Sequence, residues 1–81
     1  MPPNLNLLLD KARCRASLPV ASERRRIRKR AGVSQEDIAV TLGVNRATVC
    51  RWELGELNPG PAHLADYCQV LDELERVSTS R

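Results

Sequence analysis

The stretch from Gln35 to Glu53 constrains the fold of this 81-residue chain more than any other part of it. Ser34, just before it, can cap a helix, and Asp37 three residues later completes a capping-box pattern. Gly43 supplies the left-handed residue that ends many helices, and Asn45 can cap the helix that follows. The sequence therefore predicts two short helices joined by a tight turn.

Apolar residues recur on one face of each predicted helix. Ile38, Ala39 and Leu42 share a face of the first helix, and Val49 and Trp52 share the inner face of the second. The second helix is too short to be stable alone, so it must pack against the first. Its predicted outer face carries Arg46, Ala47, Cys50 and Arg51.

This pattern resembles the helix-turn-helix of the phage repressor and Cro-like family, also called XRE-type. The family has Gln at the start of the motif, a small residue where the helices cross, Gly in the turn and two apolar residues in the second helix. The likeness extends from about Leu18 to Leu71. It implies an all-α, compact lambda-repressor-like domain of four core helices. The residues that carry the motif are Gln35, Ala39, Gly43, Val49 and Trp52.

We expect three segments: an N-terminal amphipathic helix over 1–16, the helix-turn-helix domain over 17–76, and a frayed tail over 77–81. Pro19 is predicted in the first turn of the opening helix, a position that tolerates proline. The last helix is predicted to begin at Pro61. The residues expected to point inward from these two helices are Val20, Ile27, Ala31, Ala62, Leu64, Ala65, Cys68, Leu71 and Leu74.

The N-terminal helix lies outside the resemblance and carries an apolar stripe. Three surfaces are candidates to cover the stripe: the domain's own core, a second copy of the chain, or a membrane surface. Arg24 stands where the family prefers an aliphatic residue, which leaves room for nearby apolar side chains. We therefore favour the first of these roles. The stripe consists of Leu5, Leu8, Leu9, Ala12 and Ala16.

Charge is distributed unevenly along the chain. Residues 1–30 hold nine basic and two acidic residues, whereas residues 31–81 hold four basic and eight acidic residues. The basic half includes the run from Arg24 to Arg30, which favours a polyanionic partner. Taken alone, this run is equally compatible with a solvated helix face.

Several classes of function are disfavoured by the sequence. Cys14, Cys50 and Cys68 are widely spaced and His63 is the only histidine, so no zinc-finger spacing occurs. We expect reduced thiols, no metal, no cofactor, no small-molecule ligand and no enzymatic activity. No stretch approaches the roughly 20 apolar residues that cross a bilayer, so no membrane-spanning helix is expected and a membrane is not among the expected partners.

The resemblance implies that the second helix of the motif enters the major groove of double-stranded DNA with its N-terminus first. Arg46 and Arg51 would each hold a guanine through O6 and N7, and Ala47 would touch a thymine methyl group. The expected base contacts are Asn45, Arg46, Ala47, Cys50 and Arg51.

Phosphate contacts are expected around the ends of the same helices. Gln35 would lie at a helix N-terminus, where backbone amides favour an anion, and Thr48 would donate to another phosphate. Arg25 and Lys29 supply charge from the opening helix. Asn58 would replace the basic loop residue that the family has where this chain has Leu57.

Arg28 and Glu53 resemble the family's buried ion pair, which implies a structural role for both. The resemblance implies transcriptional repression by operator occupation, in the cytoplasm and nucleoid of a bacterium or its phage-infected host, with a homodimer as a possible form. The sequence leaves two alternatives open. One is a protein-interaction module such as an antitoxin, and the other is the DNA-targeting domain of a recombinase.

Overall fold

The computed structural model describes residues 18–79, together with Leu5, Leu8, Leu9 and Ala12. The described part of the chain contains no strand, so the all-α class and the four core helices are as predicted. The core helices are α1 (Ala21–Arg30), α2 (Gln35–Leu42), α3 (Arg46–Leu54) and α4 (Pro61–Thr79).

Local side-chain chemistry positions the turn between α2 and α3. Ser34 Oγ accepts from the Asp37 amide at 3.0 Å, and the Ser34 amide donates to Asp37 Oδ2 at 3.0 Å, which completes the capping box. Hydrogen bonding to the Asp37 carboxylate from the Ser34 backbone amide, and then from the Ser34 side chain, lowers the pKa of Asp37. Gly43 ends α2 with φ of 70°, a conformation that glycine adopts without steric cost. Asn45 then caps α3, because its Oδ1 accepts from the Thr48 amide at 2.9 Å.

The core is centred on two aromatic side chains from different helices. Trp52 of α3 and Tyr67 of α4 are both buried, and their ring centroids lie 4.7 Å apart. Large aromatic side chains contribute much of the apolar area in a core of this size. We did not predict Tyr67 from the sequence, although its spacing from Leu64 and Leu71 places all three on one face of α4. That spacing is the signal that could have identified it.

Three predicted inward residues point outward instead. Val20 is 67% exposed because it precedes α1 as its N-cap residue, and Leu18 packs against the core in its place. Pro19 correspondingly lies before the helix and not in its first turn. Ala62 and Ala65 are exposed because they lie on the other side of α4 from its buried residues.

The last helix is longer than predicted. The helix α4 continues to Thr79, so residues 77–79 are helical and not part of a frayed tail. Ser78 Oγ donates to the Leu74 carbonyl at 3.0 Å within this final turn. Residues 80 and 81 lie outside the described part of the chain.

Arg24 stands where the family prefers an aliphatic residue, and its own side chain fills that space. Arg24 is only 6% exposed, its Nε donates to the Pro19 carbonyl at 2.7 Å and its Nη1 donates to the Trp52 carbonyl at 2.9 Å. A buried charge is tolerated when its donors are satisfied in this way. The expectation that nearby apolar side chains would complete the core here was therefore wrong.

The described residues of the N-terminal helix do not lie in the core. Leu5, Leu8, Leu9 and Ala12 are helical, but Leu8 is 63% and Leu9 42% exposed. Leu5 is half-buried. We favoured a role for this segment in covering the core, but the structure does not place Leu8 and Leu9 against the core. Ala16 lies outside the described residues.

Candidate nucleic-acid interface

The helix α3 presents two chemically different faces. Val49, Trp52 and Glu53 are buried on the inner face, and Val49 and Trp52 pack in the hydrophobic core. The outer face carries two arginines a little over one turn apart. Because α3 is held by its buried face and capped at its N-terminus, the outer residues are presented on a fixed backbone. Arg46, Ala47 and Arg51 are exposed and Cys50 is half-buried.

A groove lies beside α3, and we name it the α1–α3 groove. Its walls include Arg25 of α1, Gln35 at the start of α2, and Arg46 and Cys50 of α3. These four residues are all among the ten predicted DNA contacts, and three separate helices supply them. The fold therefore brings residues that are up to 25 positions apart in sequence around one concave, partly basic surface.

The floor of the α1–α3 groove is a buried ion pair. Arg28 Nε lies 2.6 Å from Glu53 Oε2, and Arg28 Nη2 donates to Glu53 Oε1 at 3.0 Å, so the guanidinium holds the carboxylate with two parallel bonds. The two side chains are 10% and 2% exposed. Arg28 Nη1 also donates to the Val33 carbonyl at 2.9 Å. Charges this well buried require partners of this quality, and the pair is the one that the sequence led us to expect.

The ion pair is hydrogen-bonded to Gln35, one of the predicted phosphate contacts, and the sequence did not predict this bond. Gln35 Nε2 donates to Glu53 Oε1 at 3.1 Å. This bond uses one of the two amide hydrogens of Gln35 and leaves the other available to an anion. The Arg28–Glu53 pair therefore also orients the side chain at the start of α2.

Asn45 and Thr48 are joined to each other at the start of α3. Asn45 Oδ1 accepts from both the Thr48 amide and Thr48 Oγ1, the latter at 2.8 Å. The Asn45 amide group keeps its two donors for a base or phosphate. The single hydroxyl proton of Thr48 is already engaged, so a donation from Thr48 to a phosphate requires it to leave Asn45.

The basic run of α1 is divided by the fold into different roles. Arg24 and Arg28 are buried, and Arg26 Nη2 forms an ion pair with Glu23 at 2.6 Å. The hydrogen bond from Arg26 lowers the pKa of Glu23. The remaining cations of the run, Arg25, Lys29 and Arg30, are exposed. The predicted contact Asn58 is also exposed, in the loop after α3, beside an exposed Leu57.

Tyr67 lies below this polar cluster. Its hydroxyl is buried and finds no hydrogen-bond partner among the residues that the structure describes. Burial, followed by the negative charge of Glu53, raises the pKa of Tyr67 to about 12. The phenol is therefore neutral at physiological pH and serves the core, not the surface.

Neither a metal site nor a membrane span is found in the described residues. No group of three or more His, Cys, Asp or Glu side chains is placed to hold a metal ion within that part of the chain. None of its helices is long and apolar enough to cross a membrane.

The fold and the groove define a class of small all-α domains that present one short helix beside a basic surface. The family model described as helix-turn-helix matches residues 25–76, well over half of the chain. The chain belongs to this family, whose members are XRE-type or Cro-like and whose domain binds DNA. No curated protein and no solved structure matches the chain.

Proposed function

We propose that this protein is a sequence-specific transcriptional repressor that occupies an operator in a bacterial or phage genome. The observation that supports the proposal is the α1–α3 groove, where three helices bring Arg25, Gln35 and Arg46 together beside the exposed face of α3. A bound repressor of this kind excludes RNA polymerase sterically and needs no catalytic group.

Base recognition is assigned to the outer face of α3. Arg46 and Arg51 each present a planar guanidinium that matches O6 and N7 of guanine. Ala47 offers a methyl group to thymine. Cys50 lies one turn further along, in the wall of the groove. Asn45 presents its amide donors at the N-terminus of the helix, the end that enters the major groove first.

Phosphate recognition is assigned to the rim around that face. Gln35 is oriented by Glu53 and lies at the N-terminus of α2, where unpaired backbone amides attract an anion. Arg25 and Lys29 on α1 supply positive charge, which sets affinity and salt dependence but not sequence preference. Thr48 and Asn58 are the remaining proposed phosphate contacts.

The proposal is tested by selecting bound duplexes from a random pool and then measuring affinity for the selected site and for unrelated DNA. Arg46→Ala or Arg51→Ala should weaken binding to the selected site by roughly 1–3 kcal/mol, because each variant loses a bidentate base contact. Binding to unrelated DNA should change less.

A matched control is Arg76→Ala, which removes the same side chain from the exposed face of α4. This variant should retain full discrimination between the two DNAs. If Arg46→Ala and Arg51→Ala both discriminate as well as the parent chain, α3 does not read the sequence. Placing the selected site across a reporter promoter then tests repression, because an unchanged transcript level would contradict operator occupation.

A further inference from the structure

A second groove lies between α2 and α4, and we name it the α2–α4 groove. Its floor is apolar and includes Ile38 and Leu42 of α2 and Val70 of α4. Its rim carries the carboxylates of Asp66 and Glu73, both exposed on α4. Among the described residues that line it, none is basic. The surface therefore suits an apolar helix that also carries positive charge.

Among the residues that the structure describes, the two grooves share no lining residue. The α1–α3 groove is bounded by Arg25, Arg46 and the start of α2, whereas the α2–α4 groove begins further along α2 and is completed by α4. A segment that occupies the second groove therefore does not fill the first.

The N-terminal segment has the complementary chemistry. Leu8 and Leu9 are helical and are 63% and 42% exposed, so they form an apolar face that another surface should cover. In sequence, Lys11, Arg13 and Arg15 follow this face, and Asp10 is the single acidic residue of the first 22 positions. A basic segment that also carries exposed leucines matches an apolar floor with an acidic rim, because both the charges and the apolar surfaces are complementary.

We propose that the N-terminal segment of one copy, residues 5–15, docks into the α2–α4 groove of a second copy, and that the exchange is reciprocal. The second copy is preferred to the same chain because Leu8 and Leu9 stay exposed in the single chain. A reciprocal exchange gives a closed dimer with two identical contacts. The inference goes beyond the proposed function, since it concerns a surface that the DNA contacts do not use.

The test is a charge exchange between two full-length variants. One variant carries Asp66→Lys and Glu73→Lys in the groove, and the other carries Lys11→Glu and Arg15→Glu in the N-terminal helix. Light scattering over a concentration series reports the mass of each. Each variant alone should dimerise at least about tenfold more weakly than the parent chain, because like charges then face each other in both contacts.

Mixing the two variants should restore a dimer with one chain of each kind, because both of its contacts then pair opposite charges. The control Glu56→Lys with Asp72→Lys makes the same charge change at exposed positions outside the groove and should dimerise as the parent chain does. A helix docked in its own chain predicts no mixed dimer, so a mixture that remains monomeric overturns the proposal. A parent chain that is monomeric throughout the series overturns it too.

Circular dichroism and binding to a single half-site should be unchanged in all variants, which separates this inference from the proposed function. If the parent chain does not bind DNA, the repressor assignment is refuted, but the masses measured by light scattering still test the dimer. If each charge variant, measured alone, dimerises as strongly as the parent chain, only the docking proposal is refuted.

Discussion

The two grooves lie on either side of the same helix, α2, but the residues that form their floors differ in chemistry. The α1–α3 groove rests on the buried Arg28–Glu53 pair, whereas the α2–α4 groove rests on aliphatic side chains. A bidentate ion pair fixes directions, because its hydrogen bonds specify where each atom lies. An aliphatic floor gives affinity without direction. The difference shows how a small domain can use the two sides of one helix for different kinds of binding. A polar floor suits recognition that depends on orientation, and an apolar floor suits association that does not.

The start of α2 connects the two sides. Ser34 lies in the wall of the α1–α3 groove, and Asp37, its partner in the capping box, lies in the wall of the α2–α4 groove. The local hydrogen bonds that begin α2 therefore position both surfaces at once. Changes to the ion pair, the cap and the buried phenol should separate their contributions.

The largest effect is expected from breaking the ion pair. Arg28→Ala leaves Glu53 buried without its partner and should lower the free energy of unfolding by roughly 3–5 kcal/mol. The Glu53 carboxylate that accepts from Gln35 also loses the arginine that fixes its orientation, so Gln35 should be held less precisely. Chemical denaturation measures the first effect, and affinity for a non-specific duplex measures the second.

Two further variants sharpen this prediction. Arg26→Ala removes an arginine of the same helix whose partner Glu23 is exposed, and it should cost less than about 1 kcal/mol. Arg28→Met combined with Glu53→Leu removes both charges and should recover part of the stability lost in Arg28→Ala. An unchanged melting temperature in Arg28→Ala would contradict the structural role of the pair.

A smaller effect is expected from the shared cap. Ser34→Ala removes the oxygen that accepts from the Asp37 amide and should destabilise the domain by about 0.5–2 kcal/mol. Ser22→Ala, at an exposed position within α1, is the matched control and should change little. Thermal unfolding compares the two, and equal melting temperatures would show that the capping box does not position α2.

The smallest effect at neutral pH is expected at Tyr67. Its hydroxyl is buried without a described partner, so Tyr67→Phe should be neutral or should stabilise the domain by under about 1 kcal/mol. The consequence grows in alkali. The folded protein keeps the phenol proton up to about pH 12, whereas the unfolded chain loses it near pH 10.

Below pH 10 this contribution to stability is fully present, and it is lost as the pH rises through the folded pKa. Denaturation of both proteins from pH 9 to 12 should therefore show a component of alkaline destabilisation that Tyr67→Phe lacks. Parallel curves for the two proteins would contradict the raised pKa.

The local features of the fold were predictable from the sequence, because neighbouring residues create them. The Ser34 cap, the left-handed Gly43 and the Asn45 cap each require only a few adjacent positions. The family pattern also indicated the distant pair of Arg28 and Glu53. The outward predictions for Arg46, Ala47 and Arg51 agree with their exposure, and their contact with DNA stays a prediction.

The features that were missed depend on tertiary packing. The burial of Arg24 follows from two backbone carbonyls, those of Pro19 and Trp52, that only the folded chain places within reach. Tyr67 is buried because α4 turns that face to the core. The Gln35 bond to Glu53 joins side chains 18 positions apart. Sequence periodicity and capping rules concern residues that are close in sequence, so they do not predict these contacts between distant residues.

The central claim is that α3 and the α1–α3 groove meet DNA while the α2–α4 groove does not. The most direct measurement is a backbone-amide NMR titration of the full chain with its selected duplex. We predict the largest shifts at Gln35 and across Asn45–Arg51, and only small shifts at Asp66, Val70 and Glu73. Large shifts confined to those three residues of α4, with α3 unchanged, would contradict the account.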